Sequence, residues 1–303
     1  MRTALIIPTR NAGSHLDRLL PALASQTLHI DDWLVVDTES TDGTAERCRA
    51  AGARVHVIRQ DEFNHGGTRR WASEHVDADV LIFLTQDAIP AAPDSLQKLR
   101  DALLSDAHYG LAYGRQIPRP DASVLSRHAR EFNYPAVSRT KTFEDARYLG
   151  IKTCFCSDSF CAYRRTALTE AGGFPRDVIG TEDAFVAGAM LLKGWWVHYE
   201  AEAQVYHSHN YTFWQEFKRN FDIGVFYGRE SWIGETFGRA EGEGLRFIRS
   251  EVRTVIDLGK YWLLPVIFVR SLCKLAGYRM GKLEKYLPVP VKRQISMYAG
   301  YWK

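Results

Sequence analysis

Two short motifs carry side chains that could hold a divalent cation. Asp87 ends the apolar segment 80–87, and His207 and His209 form a His-Ser-His pair. Carboxylates are good ligands for hard cations, and imidazole is a common metal ligand. Taken singly, Asp87 is more typical of a helix N-cap or a solvated turn, and a lone histidine on a strand is more often structural. If residues 207–209 are extended, both histidines lie on one face of the strand, which favours a shared site.

The cysteines are a weaker candidate for metal binding. Cys154, Cys156 and Cys161 cluster in sequence, but no fourth cysteine or histidine lies near them. A structural zinc site needs four ligands. We therefore interpret them as small core residues of a strand pair.

The first hundred residues predict the strands and helices that must position these residues. Apolar strand-like segments at 4–8, 33–37, 54–59 and 80–84 alternate with helical segments. Such a β-α-β-α order predicts a parallel sheet covered by helices on both faces. Ligands in these sheets bind at the carboxyl ends of the strands. Polar and acidic residues follow the strands there, at 9–11, 37–39 and 86–87.

Composition excludes several classes of protein. The chain has 303 residues, of which 46% are hydrophobic and 25% charged, with a net charge of +3. These values are ordinary for a globular protein and exclude a disordered, collagen-like or coiled-coil chain. The small net charge argues against nucleic acid as a partner. The N-terminus shows no signal peptide, and the five cysteines form no secretory framework, so we expect a cytoplasmic protein.

Asp37 alone would also fit a dinucleotide- or methyl-donor-binding fold, in which an acid follows the second strand. Those folds need a glycine-rich first turn. Here the first turn, residues 8–13, contains one glycine. The sequence therefore disfavours a dehydrogenase or a methyltransferase.

The ordered set of motifs is more specific than any one of them. Its members are Ile-Pro-Thr-Arg-Asn at 7–11, Val-Val-Asp-Thr-Glu-Ser-Thr-Asp-Gly-Thr at 35–44, Leu-Thr-Gln-Asp at 84–87, Tyr-Arg-Arg at 163–165, Gly-Gly-Phe at 172–174 and Thr-Glu-Asp at 181–183. In this order, residues 3–210 resemble the inverting family-2 glycosyltransferases. The resemblance implies the GT-A fold, an α/β fold with a mixed, mainly parallel sheet flanked by helices.

A narrower resemblance concerns the sugar. The motifs Phe-Asn-His-Gly-Gly-Thr-Arg at 63–69 and Val-Tyr-His-Ser-His-Asn-Tyr at 205–211 are similar to those of bacterial rhamnosyltransferases that build O-antigen and related polysaccharides. The resemblance implies dTDP-L-rhamnose as the donor and a hydroxyl of a lipid-linked glycan as the acceptor. The same chemistry with another nucleotide sugar is one alternative. A non-catalytic carbohydrate- or membrane-binding module is another.

The resemblance also implies residue roles. Asp183 would be the catalytic base, with Glu182 and Asp158 orienting it or contacting the acceptor, although acids in a first helical turn also simply favour the helix dipole. Mg²⁺ or Mn²⁺ would be held by Asp87 and His207, with His209 as the alternative. The family's D-x-D motif is Thr-Gln-Asp here and lacks its first acid. The expected donor-binding residues are Pro8, Thr9, Arg10, Asp37, Thr38, Arg69, Gln86 and Asp87.

The excess positive charge lies at the C-terminal end. Residues 258–303 contain nine Lys and Arg and a single acid, Glu284. That excess of eight leaves the rest of the chain slightly acidic. We expect a GT-A domain at 1–212 and a helical, basic and aromatic extension at 213–303. The extension would meet the anionic cytoplasmic face of the inner membrane, pack on the catalytic domain, or contact a second copy in a homodimer.

Overall fold

The N-terminal part of the chain forms the parallel half of the sheet. The structure, a computed structural model, describes residues 1–238 and 241–303. The strands are β1 Thr3–Thr9, β2 Asp32–Thr38, β3 Arg54–Ile58, β4 Val80–Leu84, β5 Ile89–Pro90, β6 Tyr109–Ile117, β7 Arg139–Lys141, β8 Phe160–Arg164 and β9 Trp196–Tyr206. They form one sheet in the order β3-β2-β1-β4-β8-β6-β9-β5, and β7 also pairs with β9. The strands β3, β2, β1 and β4 are mutually parallel, whereas β8 runs antiparallel to both β4 and β6. The predicted mixed α/β sheet is confirmed.

Helices cover both faces of this sheet and make up most of the C-terminal third. The α-helices of the described residues are α1 Gly13–Ala24, α2 Thr44–Ala50, α3 His65–Glu74, α4 Ser95–Leu104, α5 Val124–Asn133, α6 Ala146–Leu149, α7 Arg165–Glu170, α8 Glu182–Leu192, α9 Phe213–Arg229, α10 Ser231–Phe237, α11 Glu241–Asp257, α12 Leu264–Lys282 and α13 Val289–Ile295. Two large apolar clusters of buried residues, one containing Phe83 and Tyr163 and the other Ile82 and Phe160, draw on alternate side chains of the central strands β4 and β8. The core therefore lies on both sides of the sheet, as period-2 alternation requires.

Helix α1 has Ala12 at its N-cap with no side-chain cap, and Asp17 pairs with Arg47 at 2.8 Å. The local prediction for the cysteines was wrong in detail. Of the cysteines expected in a strand pair, only Cys161 lies in a strand.

Residues 196–206 form one long strand. Strand β9 runs beside β6 through a register shift after Gly114, where extra residues of β9 are accommodated. Such a bulge bends a strand without ending it. β9 ends at Tyr206, so His207 and His209 follow the strand and do not lie within it.

The C-terminal helices pack closely on one another. Helices α9 and α12 cross with glycines at the contact: a Cβ at Gly277 or Gly281 would overlap the backbone oxygen of Phe217 or Phe221, respectively. Thr212 caps α9 through a reciprocal capping box with Gln215. Residues 1–238 and 241–303 contain no helix long and apolar enough to cross a membrane.

The end of the extension returns to the first half of the chain. The hydroxyl of Tyr298 donates to the backbone oxygen of Phe63, and its ring meets the rings of Phe63 and His65 edge-on at 5.5 and 5.4 Å. Asp222 of α9 accepts from the backbone N–H groups of Met297 and Tyr298 at 2.9 and 3.2 Å. The tail is thus fixed against the loop that precedes α3.

Candidate active site

Six strands end or begin at one edge of the sheet. β1, β2 and β4 end there, β8 begins there because it is antiparallel to β4, and β6 and β9 end beside β8. Within the described residues, every non-glycine residue with positive φ lies in a loop at this edge: Asn11 at 45°, Glu39 at 43° and Thr181 at 64°. Backbone strain of this kind concentrates at functional sites.

Asp87, His207 and His209 come together at this edge. The Nε2 atoms of His207 and His209 lie 3.3 and 3.5 Å from Asp87 Oδ2, and 3.1 Å from each other. Among residues 1–238 and 241–303, they are the only group of three or more acid, histidine or cysteine side chains with this convergence. We call them the metal-type cluster. The two histidines follow the end of β9, so a turn of the chain brings them together and not the alternation of side chains along a strand.

Gln116 sets the orientation of His207. Its Oε1 accepts from Arg130 and lies 2.8 Å from His207 Nδ1, so that nitrogen carries the proton and Nε2 presents a lone pair to Asp87. Gln116 Nε2 donates to Ser157 Oγ at 2.9 Å, and Thr85 Oγ1 donates to Asp87 Oδ1 at 2.8 Å. A lone pair facing a carboxylate is repulsive unless a cation lies between them. The donor set of one carboxylate and oriented imidazoles therefore fits a divalent metal.

The electrostatics of the cluster agree with this. Burial raises the pKa of Asp87, but His207 and His209, which donate to it when their Nε2 atoms are protonated, and the Thr85 hydroxyl outweigh burial and hold the pKa well below its usual range. Burial, with the charge of His207, lowers the pKa of His209 to about 3. Asp87 is therefore ionised and His209 neutral at pH 7, the states in which both side chains bind metals.

A second cluster lies on the other side of the loop 157–159. The buried guanidinium of Arg69 contacts Asp158 Oδ2 at 3.0 Å and Glu182 Oε1 at 2.9 Å, and Tyr163 donates to Asp158 Oδ1 at 2.6 Å. Asp158 and Glu182 are 3 and 5% exposed, whereas Asp183 beside them is partly exposed. We call these three acids and Arg69 the carboxylate cluster. Asp183 is its reactive edge, since it alone is open to solvent.

Asp183 is held by backbone groups. Its Oδ1 accepts from the N–H of Ala184 at 2.8 Å and its Oδ2 from the N–H of Asp158 at 3.4 Å. Burial, then the charge of Glu182, raises the pKa of Asp183 above its usual value, against the backbone hydrogen bonds and Arg69. Burial likewise raises the pKa of Asp158, while Arg69 outweighs burial and lowers that of Glu182. A solvent-facing carboxylate with a raised pKa suits proton transfer.

The glycines of the 63–69 motif explain how Arg69 reaches the carboxylate cluster. Asn64 caps α3 by accepting from the N–H groups of Gly66 and Gly67, both at 3.0 Å. A Cβ on Gly66 would overlap the backbone oxygen of Pro175, so only glycine lets the turn before α8 pack this closely. Arg69 was expected near a donor diphosphate. Its side chain is 6% exposed and its charge is paired with two acids, so a positioning role for Asp183 fits it better.

Four of the predicted donor-binding residues are the last residues of two neighbouring strands, Pro8 and Thr9 in β1 and Asp37 and Thr38 in β2. We call these strand ends the donor edge. Asp37 Oδ1 accepts from Thr9 Oγ1 at 2.9 Å and from Ser40 Oγ at 2.6 Å. The buried hydroxyl of Thr38 has no hydrogen-bond partner. Pro8 pairs with Val36 in the parallel ladder, directly before these residues.

Gln86 ties the donor edge to the metal-type cluster. Its Oε1 accepts from the backbone N–H of Arg10 at 2.8 Å, and its Nε2 donates to the backbone oxygen of Arg10 at 3.1 Å. The Arg10 side chain is exposed and contacts Gln60. The loops after β1 and β4 are thereby fixed to each other.

Sequence reasoning missed the residues that support the metal-type cluster. Gln116 and Arg130 lie in no recognised motif. His15, on α1, lies within electrostatic reach of Asp87, and burial, with the charges of Arg119 and Arg18, lowers its pKa against the opposing effect of Asp87. His15 lies near the start of α1, shortly after the end of β1. Ligands bind at the ends of strands in such sheets, so this position could have marked His15 as a candidate site residue.

Comparisons with known proteins agree with this geometry. Residues 4–172 match the family described as "Glycosyl transferase family 2". The chain is 44% identical to the O-antigen chain rhamnosyltransferase RfbN of Salmonella typhimurium, over all of this chain and 96% of that protein. It is 41% identical to the O-antigen chain rhamnosyltransferase WbaN of Salmonella anatum, over 98 and 95% of the two chains.

Solved structures show the same fold at low sequence identity. The mannosyltransferase PcManGT from Pyrobaculum calidifontis, in complex with GDP-Man and Mn²⁺, superposes with a TM-score of 0.62 at 16% identity, over 94% of this chain and 86% of that one. TarS 1–349 of S. aureus, in complex with UDP-GlcNAc, gives 0.53 at 16% identity, over 94 and 91%. Both share the GT-A architecture. The protein is a glycosyltransferase, and the chain belongs to glycosyl transferase family 2.

Proposed function

We propose that this protein is an inverting rhamnosyltransferase of O-antigen synthesis that transfers L-rhamnose from dTDP-L-rhamnose to a hydroxyl of a glycan acceptor. The sugar rests on full-length identity of 44% to RfbN and 41% to WbaN, both named O-antigen chain rhamnosyltransferases. The observation that carries the reaction is the pairing of two clusters across one loop. One holds an ionised carboxylate with two histidines, and the other a carboxylate with a raised pKa.

The nucleotide would lie along the donor edge. Asp37 and Thr38 end β2, where the unpartnered Thr38 hydroxyl and Asp37 Oδ2, which accepts from the backbone N–H of Ser40 at 3.0 Å, would offer polar contacts to a base or ribose. Arg10 is exposed beside them, and a guanidinium suits a diphosphate because its N–H groups are forked. Pro8, Thr9 and Gln86 fix the backbone of this edge.

Asp87, His207 and His209 would hold the divalent cation. When bound, Mn²⁺ or Mg²⁺ would neutralise negative charge on the departing diphosphate. Two nitrogen donors beside one carboxylate favour Mn²⁺, because Mg²⁺ prefers an octahedron of oxygen atoms. PcManGT, which shares the fold, was solved with GDP-Man and Mn²⁺.

Asp183 would act as the base. It removes the proton of the acceptor hydroxyl, and that oxygen bonds to the anomeric carbon of rhamnose. The bond from the anomeric carbon to the diphosphate oxygen breaks with its electron pair, and dTDP leaves from the opposite face, which inverts the configuration. Glu182 and Asp158 are both held by Arg69. The backbone N–H of Asp158 keeps Asp183 in place, while burial and the like charge of Glu182 raise the proton affinity of Asp183.

A donor panel tests this proposal. We expect purified protein with Mn²⁺ to bind dTDP-L-rhamnose more tightly than UDP-glucose or GDP-mannose, and to release dTDP only when acceptor glycan is present. Calorimetry measures the binding, and a coupled nucleotide assay the release. Preferential binding of a different sugar nucleotide would keep the chemistry and replace the donor. Binding without any turnover would instead support a non-catalytic carbohydrate-binding module.

We further propose that residues 1–212 form the catalytic domain and that the extension 213–303 lies on an anionic membrane surface at the cytoplasmic face of the inner membrane. The extension exposes Tyr261, Trp262 and Phe268 by 59, 69 and 65%. Exposed aromatic residues next to basic residues such as Arg279 and Lys282 are typical of interfacial helices. Part of its positive charge is internal, since Arg270 and Lys274 pair with the buried Glu216.

Vesicle flotation tests this surface. We expect binding to phosphatidylglycerol vesicles to fall severalfold in Trp262→Ser combined with Phe268→Ser, and to be unchanged in Phe143→Ser, an exposed aromatic outside the extension. Equal flotation of all three proteins would reject the membrane surface. A concentration-dependent mass that the double variant abolishes would instead assign the patch to a homodimer.

A further inference from the structure

A large cavity opens between the catalytic half and the C-terminal helices. Its volume is about 1040 Å³, and helices α5, α9, α11 and α12 form its walls. His209 of the metal-type cluster and Tyr211 line one end, with their rings stacked at 5.0 Å. The cavity therefore begins beside the candidate active site.

Two guanidinium groups stand at this inner end. Arg130 and Arg219 line the cavity, and in the described part of the chain neither forms an ion pair with a carboxylate. Arg130 instead donates to Gln116, and Arg219 lies over the Tyr211 ring at 5.6 Å and is exposed to the cavity. Arg130 and His207 share the acceptor Gln116 Oε1, which places Arg130 next to the metal-type cluster. Two cations without a carboxylate partner at one end of a cavity fit an anion.

Apolar side chains form much of the remaining wall, beside charged residues that pair with one another, such as Lys152 with Glu243 and Arg270 with Glu216. Phe268, Leu272 and Leu275 line the cavity and are 65, 49 and 52% exposed, so the cavity opens on the exposed aromatic face of α12. Further apolar lining comes from Phe132, Ile223, Phe247, Ile248, Leu264 and Ile267. A ligand that fills this cavity has an anionic head near His209 and a long apolar tail that leaves towards the proposed membrane surface.

We infer that this cavity binds an isoprenoid diphosphate, the lipid carrier of the acceptor glycan. The inference rests on the proposed function for the identity of the acceptor, but the binding site itself rests on the cavity. Arg130 and Arg219 bind the diphosphate, and the apolar walls bind the first isoprene units. The glycan on the same diphosphate then lies on the side of His209, next to Asp87 and within the edge that carries Asp183.

Binding of soluble probes tests the site without any transfer reaction. Farnesyl diphosphate, farnesol and inorganic diphosphate are titrated into the full chain by calorimetry in EDTA, so that the metal-type cluster holds no cation. We expect farnesyl diphosphate to bind at least tenfold more tightly than either of the other probes, because it alone supplies both head and tail.

Matched variants locate the site. Arg219→Gln should weaken farnesyl diphosphate about tenfold and leave farnesol unchanged, whereas Lys218→Gln, which removes the same charge one residue away, should change neither. Ile223→Trp should block both isoprenoids, with its thermal unfolding midpoint measured to show that it folds. Loss of affinity in Arg219→Gln with equal binding of inorganic diphosphate would mean an anion site and overturn the lipid assignment.

Two further outcomes separate this proposal from others. Unchanged farnesyl diphosphate binding in both Arg219→Gln and Ile223→Trp would overturn it, even if dTDP-L-rhamnose binds as proposed. Displacement of farnesyl diphosphate by phosphatidylglycerol vesicles would reassign the cavity to bilayer phospholipid. Failure of the protein to bind any nucleotide sugar would reject the proposed function and leave the cavity result standing.

Discussion

The metal-type cluster and the carboxylate cluster use the same residue, aspartate, in opposite environments. Asp87 meets two imidazoles and a hydroxyl, and its pKa is held well below the usual range. Asp183 lies next to Glu182 among buried groups, and burial together with the charge of Glu182 raises its pKa. The first carboxylate stays charged and can hold a cation, while the second can gain and lose a proton. Titratable groups whose pKa values are pushed apart in this way mark separate chemical roles.

The largest expected effect comes from removing the proton acceptor. Asp183→Asn keeps the shape of the side chain but cannot accept the proton of the acceptor hydroxyl. We expect kcat to fall about two to four orders of magnitude with donor affinity unchanged, measured by dTDP release and calorimetry. A fall in donor affinity equal to the fall in kcat would show that Asp183 belongs to the donor site instead.

Removal of the ionised carboxylate should give the converse pattern. In Asp87→Asn we expect activity to fall about two orders of magnitude at fixed Mn²⁺ and to recover partly as Mn²⁺ is raised, because a metal ligand is lost. Mn²⁺ binding itself, followed by electron paramagnetic resonance, checks this independently of turnover. Asp94→Asn, an exposed acid at the start of α4, is the matched control. Unaltered Mn²⁺ affinity in Asp87→Asn would remove the distinction between the clusters.

A smaller effect should follow from loosening His207. Gln116→Leu removes the acceptor for the Nδ1 proton, so the imidazole can rotate or change tautomer. We expect Mn²⁺ affinity to fall about 10- to 100-fold, the usual range for such supporting groups, while the pH dependence set by Asp183 stays in place. If the pH profile shifts and Mn²⁺ affinity does not, Gln116 serves the carboxylate cluster through Ser157.

The smallest effect concerns the pH profile. A base must be deprotonated, so activity is lost as pH falls through the pKa of Asp183. Because that pKa is raised, the acid limb of kcat should lie above the ordinary aspartate value of about 3.9. Besides Glu182, the charged groups that face Asp183 are Arg69, which lowers its pKa, and Asp158.

Glu182→Gln removes the charge that raises the pKa of Asp183, so the acid limb should move to lower pH, with little change in kcat at pH 8. Glu170→Gln, an exposed acid at the end of α7, should leave the limb in place. A shift to higher pH in Glu182→Gln would mean that freeing Arg69 from Glu182 matters more than the lost negative charge.

The sequence predicted what depends on local pattern and strand ends. The apolar run of β4 was placed at its observed bounds, Val80–Leu84, and the polar residues after β1, β2 and β4 were correctly brought to one edge. The length of β9 could not be predicted in this way, because its polar residues look like a break, whereas pairing with β6 through a bulge keeps it continuous.

Contacts between distant segments could not be predicted. Arg69 looked like a surface helix residue near a diphosphate, since nothing local shows that Asp158 and Glu182 arrive beside it. The same applies to Gln116, an ordinary strand glutamine until His207 packs against it. The H-x-H pair was correctly associated with Asp87, but by a turn after the strand and not by the strand's own alternation.

The contact between Tyr298 and Phe63 joins residues 235 positions apart. During synthesis, Phe63 and His65 therefore cannot form their contacts with Tyr298 until nearly all of these 303 residues have left the ribosome. A fragment expressed as residues 1–212 would lack Tyr298 and leave the loop before α3 without this contact, and it would be a poor substitute for the intact chain in donor-binding work.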